Sequence, residues 1–207
     1  KNADLGFVNL ALNAICLLVF LVGGLYVLGE LRETWLLQTN AEVFNRGIFH
    51  ILIRYVSFAF VVALIYSIYE YFRQDFISEY FPEKHLDYVF DFLFYVSILI
   101  IVSSELINWM DIFGYNESYK LGLSILWGLY SLFLIVLGIA RGKKHLRVGA
   151  ISLFAVTLAK LFFYDIAELD TISKTVVFVS LGILLLIISF LYNKYKNLIS
   201  GEENVRL

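Results

Sequence analysis

The chain has 207 residues, of which 60% are hydrophobic and 16% charged. Soluble domains are about 45–50% apolar and about 25% charged, so this chain carries more apolar surface than a soluble core of its size buries. The net charge of −2, with no basic stripe, argues against nucleic-acid binding. We therefore expect an integral membrane protein with an all-α fold.

Six segments are long and apolar enough to cross a bilayer as helices, which takes about 20 residues each. They cover residues 5–28, 48–71, 88–109, 121–140, 148–166 and 175–192. Their connectors are short, and neither an internal repeat nor a low-complexity linker divides them. We predict a polytopic bundle of six transmembrane helices that forms one unit over residues 1–207.

The first segment contains two polar residues and two adjacent glycines. Asn9 and Asn13 lie one helical turn apart, which favours hydrogen bonds to a neighbouring helix. Gly23 and Gly24 would permit a close approach of helices or a local break. Further along the chain, residues at four-residue spacing predict stripes of close helix packing. These small residues are Ala59, Ala63, Ser67, Ser124, Gly128, Ala155 and Ala159.

The connector after the second segment has its own pattern. Apolar residues recur at helical spacing between Phe72 and Phe81, with charged residues between them, and Pro82 follows. This pattern indicates a short amphipathic helix lying in the membrane interface. A partner-binding helix and ordinary loop packing are the alternatives.

The distribution of Lys and Arg predicts the orientation. The most basic connector, Arg141–Arg147, belongs in the cytoplasm by the positive-inside rule. Alternation then places both termini in the cytoplasm. Of the 16 Lys and Arg, ten fall on the inner side, four on the outer side and two within the spans.

Ionisable residues inside the spans are the candidate functional groups, because a charge in hydrocarbon is costly without a partner. The predicted topology places several at one depth near the outer surface. The candidate site residues are Arg54, Glu105, Asn108, Lys160, Tyr164 and Asp165. Asp91 lies near the inner surface, where we expect it to be solvated.

Three interpretations of these residues stay open. The first is an outward-facing pocket for a lipid headgroup, a glycolipid, an anionic ligand or a transported ion. The second is a structural network that pairs the two cations with the two anions and fixes helix register. In the third, Lys160 extends to the outer headgroups. Lys160 and Tyr164, four residues apart, are expected on one face.

Several chemistries lack their sequence signatures. The single cysteine, Cys16, excludes an internal disulfide and a cysteine-based metal site. His50 is the only histidine near the candidate site, so we expect neither a metal nor another cofactor. Glycine-rich phosphate loops, Gly-x-Ser-x-Gly and His-Glu-x-x-His are also absent.

Several stretches in the second half of the chain suggest a family. They are Ser104–Leu106, Leu126–Tyr130, Arg141–Arg147, Leu158–Asp170 and Phe178–Leu186. Together they resemble the C-terminal part of the bacterial membrane proteins grouped as domain of unknown function 2339, over about residues 100–195. The first two segments show no such resemblance.

The resemblance implies a bacterial inner-membrane location and marks Glu105, Lys160 and Asp165 as motif positions. Members are generally longer, which implies that this chain is the C-terminal part of a larger protein. The first residue, Lys1, is not an initiator methionine, in line with that expectation. The family is uncharacterised, so no activity comes with it.

The sequence leaves three hypotheses for function. We expect a non-catalytic module of a larger cell-envelope assembly, with other membrane subunits as partners. A transporter or lipid-handling protein that uses the outer polar residues is the first alternative. A membrane-embedded transferase, with Glu105 or Asp165 as its base, is the second.

Overall fold

A computed structural model describes residues 3–38, 46–74, 77, 81–115, 119–165 and 171–200. Throughout this part of the chain the regular structure is helical. The helices are α1 (Ala3–Val19), α2 (Leu25–Leu37), α3 (Phe49–Phe72), α4 (Glu83–Ile112), α5 (Tyr119–Ala140), α6 (Lys144–Lys160) and α7 (Thr171–Ser200), with π-helical turns at Phe20–Gly24 and Leu161–Asp165. The predicted all-α membrane fold is therefore confirmed at the level of helix content.

Contacts divide the chain into two compact units, residues 1–112 and 113–207. In unit 1, α1 packs on α3 through a core that includes Leu17, Val61 and Ile68, each at most 4% exposed. Apolar residues of α4 border this core. The predicted hydrogen bonds of the first segment are confirmed, since Asn13 donates to Ser67 Oγ at 3.3 Å and Asn9 donates to Tyr71 Oη at 3.2 Å.

The paired glycines of the first segment coincide with a local change of helix type. Phe20–Gly24 forms a π-helical turn between α1 and α2, so the chain stays helical from Asp4 to Leu37. A Cβ on Gly24 would lie 2.6 Å from the ring of Phe20, which in turn packs edge-on against Phe58 of α3. The paired glycines therefore mark a change from α-helical to π-helical geometry within a continuous helix, and not an interruption of the helix.

Unit 2 is built on a helical hairpin. α5 and α6 are joined by the turn Arg141–Lys143, in which Gly142 has a positive φ of 65°. The Lys143 amide donates to the Gly138 carbonyl at 2.9 Å and so closes the end of α5. Phe154, Leu161, Val177, Leu181 and Leu184 form the core with α7.

Five helices meet the length and apolarity needed for a membrane span among the described residues: Asp4–Leu37, Phe49–Phe72, His85–Ile112, Tyr119–Ala140 and Lys174–Lys194. These correspond to predicted spans one to four and six. The fifth predicted span corresponds to α6 and the π-helical turn after it. This stretch is helical but is not one of the five helices that meet the length and apolarity needed for a span. The number of spans and the orientation stay predictions.

Some packing predictions need correction. Ser124 and Gly128 are buried, as close packing requires, and a Cβ on Gly128 would lie 3.0 Å from Leu184. Ala59 and Ala63 are instead exposed, because α3 turns Val61 and Ile68 toward its neighbours. Ala155 and Ala159 are likewise exposed on α6. Half of the predicted interfacial helix, residues 75–76 and 78–80, lies outside the described residues.

Candidate polar site

Arg54 is the centre of the polar contacts in unit 1. It lies in the second turn of α3 and is only 2% exposed. Its Nε donates to Glu105 Oε1 of α4, and its Nη2 donates to Ser104 Oγ at 2.5 Å. The guanidinium also lies 5.3 Å from the centre of the Phe58 ring, on the same helix. Arg54 therefore binds α3 to α4 by an ion pair and a hydrogen bond.

Glu105 keeps a second interaction on its other oxygen. Tyr55, the residue after Arg54, donates its hydroxyl to Glu105 Oε2 at 3.3 Å. The Glu105 side chain is 22% exposed, so the carboxylate is at the margin of the contact, whereas Arg54 is inside it. The predicted pairing of a cation on the second segment with an anion on the third is confirmed for these two residues.

A second ion pair, which the sequence did not suggest, joins α2 to α4. Arg32 Nη2 lies 2.6 Å from Asp111 Oδ2, and the two side chains are 15% and 20% exposed. The first predicted span ends at residue 28, which leaves Arg32 in the connector after it. The helix continues to Leu37, and this carries Arg32 to α4.

Asn108 lies between the two ion pairs along α4. Glu105, Asn108 and Asp111 are separated by three residues each, so they follow one another on successive turns. Asn108 is 1% exposed, and its Nδ2 has no acceptor among the described residues. Among the described residues of unit 1, Nε of Arg32 is the other buried side-chain donor without an acceptor. Asn108 is one of the candidate site residues predicted from the sequence, but no sequence signal indicated its unmet hydrogen bond.

Lys160 makes its hydrogen bonds within unit 2. Its Nζ donates to Ser124 Oγ at 2.9 Å and to the carbonyl oxygen of Lys120 at 3.2 Å, both near the beginning of α5. Ser124 is fully buried. This Lys160–Ser124 contact binds α6 to α5 just before the π-helical turn. That the candidate residues of the two units form one cluster stays a prediction.

The two residues after Lys160 that the sequence selected lie on the π-helical turn Leu161–Asp165. Tyr164 is 73% exposed, whereas the Lys160 ammonium is bonded within the unit. Their expected common face stays a prediction. Asp165 ends the turn, and its side chain lies outside the described part of the chain.

The burial of two charged residues, Asp91 and Arg147, was not predicted from the sequence. Asp91 is 6% exposed, so the expectation of a solvated carboxylate is wrong. α4 begins at Glu83, which moves Asp91 more than two turns into the helix. Arg147, used above only as an orientation signal, is 4% exposed and donates from Nη1 to the Gly138 carbonyl at 3.1 Å.

The chemical capacity of these groups follows from their contacts. In the described residues, no three His, Cys, Asp or Glu side chains come together as a group that could hold a metal ion. The carboxylate of Glu105 accepts from the Arg54 guanidinium on one oxygen and from the Tyr55 hydroxyl on the other, so both of its oxygens are used in contacts between helices. The arrangement is suited to joining helices and to binding a ligand through hydrogen bonds.

Comparison with known proteins gives one informative match. The model of a family described as predicted membrane protein, DUF2339, matches residues 4–195. The match extends over the first two predicted segments, for which no resemblance was predicted. No curated protein and no solved structure matches the chain. The chain therefore belongs to the DUF2339 family of predicted membrane proteins.

Proposed function

We propose that this protein is a non-catalytic, multi-pass module of a larger assembly in the bacterial inner membrane. In this proposal the chain crosses the membrane six times, with α6 and the following π-helical turn as the fifth span and both termini in the cytoplasm. Other membrane protein subunits and the lipid bilayer are its partners.

The proposal rests on one observation, namely the contacts that the charged side chains within the helices make. Arg54 is almost fully buried and donates hydrogen bonds to Glu105 and Ser104 of the neighbouring helix. Lys160 donates to the first turns of the helix beside it. Charges used in this way fix helix positions, whereas transport or proton transfer requires groups that can exchange partners. This favours the module over a transporter or a transferase.

The test replaces the ion pair by two apolar residues. A buried ion pair replaced as a unit by apolar residues of similar volume is often neutral for stability. We would complement a deletion strain with wild type, with the double variant Arg54→Met/Glu105→Met, and with Asp87→Asn as a control. Asp87 is exposed on the same helix as Glu105.

We expect the double variant to reach wild-type abundance, to co-purify with the same membrane proteins in the same ratio, and to restore growth under envelope stress. A double variant that is abundant and folded but does not restore growth would contradict the proposal. It would show that the charges themselves perform transport or catalysis.

A further inference from the structure

The polar contacts of unit 1 contain two buried donors whose hydrogen bonds are unmet within the described residues. They are Nδ2 of Asn108 and Nε of Arg32. An unsatisfied buried donor is destabilising, and more so in hydrocarbon than in a wet interior. Two such donors near the same end of α4 indicate that an acceptor outside the described residues completes this region.

The surroundings of these donors define a patch with an open edge. We use the name headgroup patch for Arg32, Glu105, Asn108 and Asp111. Asn108 is buried, but the side chains of the other three keep 15%, 22% and 20% exposure. This partly exposed edge is where a ligand would reach the patch. The two carboxylates stand one turn before and one turn after Asn108.

The charge balance of the patch restricts the ligand. Arg32 is paired with Asp111, and Glu105 is paired with Arg54, so the four groups sum to zero. An anion bound to the free donors would lie beside two carboxylates, and a cation would lie beside two guanidinium groups. A ligand that carries an acceptor anion and an ammonium a few bonds apart satisfies both kinds of group.

We propose that the headgroup patch binds a phosphate–ammonium zwitterion of the aminophospholipid class. The phosphate oxygens accept from Asn108 Nδ2 and Arg32 Nε, and the ammonium donates to Asp111. This role goes beyond the module proposed above, because an assembly module needs no particular lipid.

The experiment measures lipid retention by native mass spectrometry of the full chain in mild detergent. The probes are phosphatidylethanolamine, phosphatidylcholine and phosphatidylglycerol at equal concentration. We expect phosphatidylethanolamine to be retained about tenfold more than the other two, which is the effect of one or two hydrogen bonds. Phosphatidylcholine has the same phosphate but no ammonium N–H, and phosphatidylglycerol has no ammonium. Equal retention of the three lipids would overturn the proposal.

Variants assign the effect to the patch. Asn108→Leu should lower phosphatidylethanolamine retention about tenfold. Asn13→Leu should leave it unchanged, because Asn13 donates to Ser67 within unit 1 and is not in the patch. An Asn108→Leu variant that retains phosphatidylethanolamine as wild type does would contradict the assignment.

Asp111→Asn keeps the proposal testable if Asn108→Leu does not fold. It raises the summed charge of Arg32, Arg54, Glu105 and Asp111 from 0 to +1 and should shift the retention ratio toward phosphatidylglycerol about tenfold. An unchanged ratio in a folded Asp111→Asn protein would also overturn the proposal.

A competition arm distinguishes a lipid from a free metabolite. Soluble glycerophosphoethanolamine that displaces the retained lipid at millimolar concentration identifies the zwitterion alone as the recognised group. Retention that withstands it identifies the intact lipid. Both outcomes support zwitterion recognition, and the lipid comparison above is the arm that can reject it.

Discussion

The two units of this protein join their helices by different means. Unit 1 uses opposite charges, with Arg54 on Glu105 and Arg32 on Asp111. Unit 2 uses small residues that let helices approach, together with cationic side chains that donate to oxygen atoms of α5, as Lys160 and Arg147 do. The difference predicts that unit 1 is sensitive to charge and that unit 2 is sensitive to volume.

The largest effect is expected from removing one charge of the buried pair. Glu105→Gln leaves Arg54 buried without its carboxylate, which should cost about 3–5 kcal/mol of unfolding free energy. We would measure reversible unfolding by SDS in mixed micelles, with tryptophan fluorescence as the signal. The double variant Arg54→Met/Glu105→Met should recover most of the loss. A loss below about 1 kcal/mol for Glu105→Gln would place the pair among weak surface ion pairs.

In unit 2 the corresponding test removes a neutral acceptor. Ser124→Ala takes one hydrogen bond from the Lys160 ammonium, and hydrogen bonds to charged groups contribute about 1.5–3 kcal/mol. The same unfolding assay checks this change. Ser131→Ala is the matched control, because that buried hydroxyl donates only to the Gly128 carbonyl of its own helix. Equal effects of the two variants would show that the Lys160 contact contributes nothing of its own.

A glycine series tests the sensitivity of unit 2 to volume. A Cβ on Gly138 would lie 2.7 Å from Cγ of Arg147 and 3.1 Å from its backbone nitrogen. Gly138→Ala should therefore destabilise by about 1–3 kcal/mol through overpacking. Gly149→Ala, with open space around its Cβ, should be neutral or stabilising, since alanine favours helix. Circular-dichroism melting curves of the two variants would show the order, and the reverse order would refute it.

The smallest effect is expected at the neutral hydrogen bonds of unit 1. Asn13→Ala removes the bond to Ser67, and hydrogen bonds between membrane helices average about 0.6 kcal/mol. A double-mutant cycle with Ser67→Ala measures this coupling in the SDS assay. A coupling as large as that of Arg54 with Glu105 would remove the distinction between charged and neutral contacts in this unit.

Helix positions were predictable because long apolar runs are a strong signal. All six predicted segments are helical in the structure over the described residues, although several helices are longer than the apolar runs. α2 illustrates the reason, since Arg32 and the residues around it are polar enough to end a hydropathy window but not a helix. Hydropathy measures the membrane crossing, whereas helix length follows from hydrogen bonds and packing.

The candidate site was predictable in its members and only partly in its contacts. Depth alone selected Arg54 and Glu105, because opposite charges at one level in hydrocarbon tend to pair. It could not find Arg32 with Asp111, which required the true end of the first helix. It also did not predict the π-helical turn that carries Tyr164, because such a turn has no hydropathy signature. The direction in which a side chain points from a helix depends on the rotation of the helix about its axis, and a hydropathy window does not record this rotation.

The π-helical turn at Phe20–Gly24 separates two sets of contacts on one long helix. On its N-terminal side, Asn9 and Asn13 bond to α3, and on its C-terminal side Arg32 pairs with α4. A π-helical turn accommodates about one residue more than an α-helical turn, and one residue rotates a helix face by about 100°. Deleting a single residue here would restore an ordinary helix but point one of the two sets away from its neighbour. The extra residue in this turn therefore sets the rotation between the two sets of contacts. We expect the fold to tolerate substitutions in Phe20–Gly24 better than a change in the number of its residues.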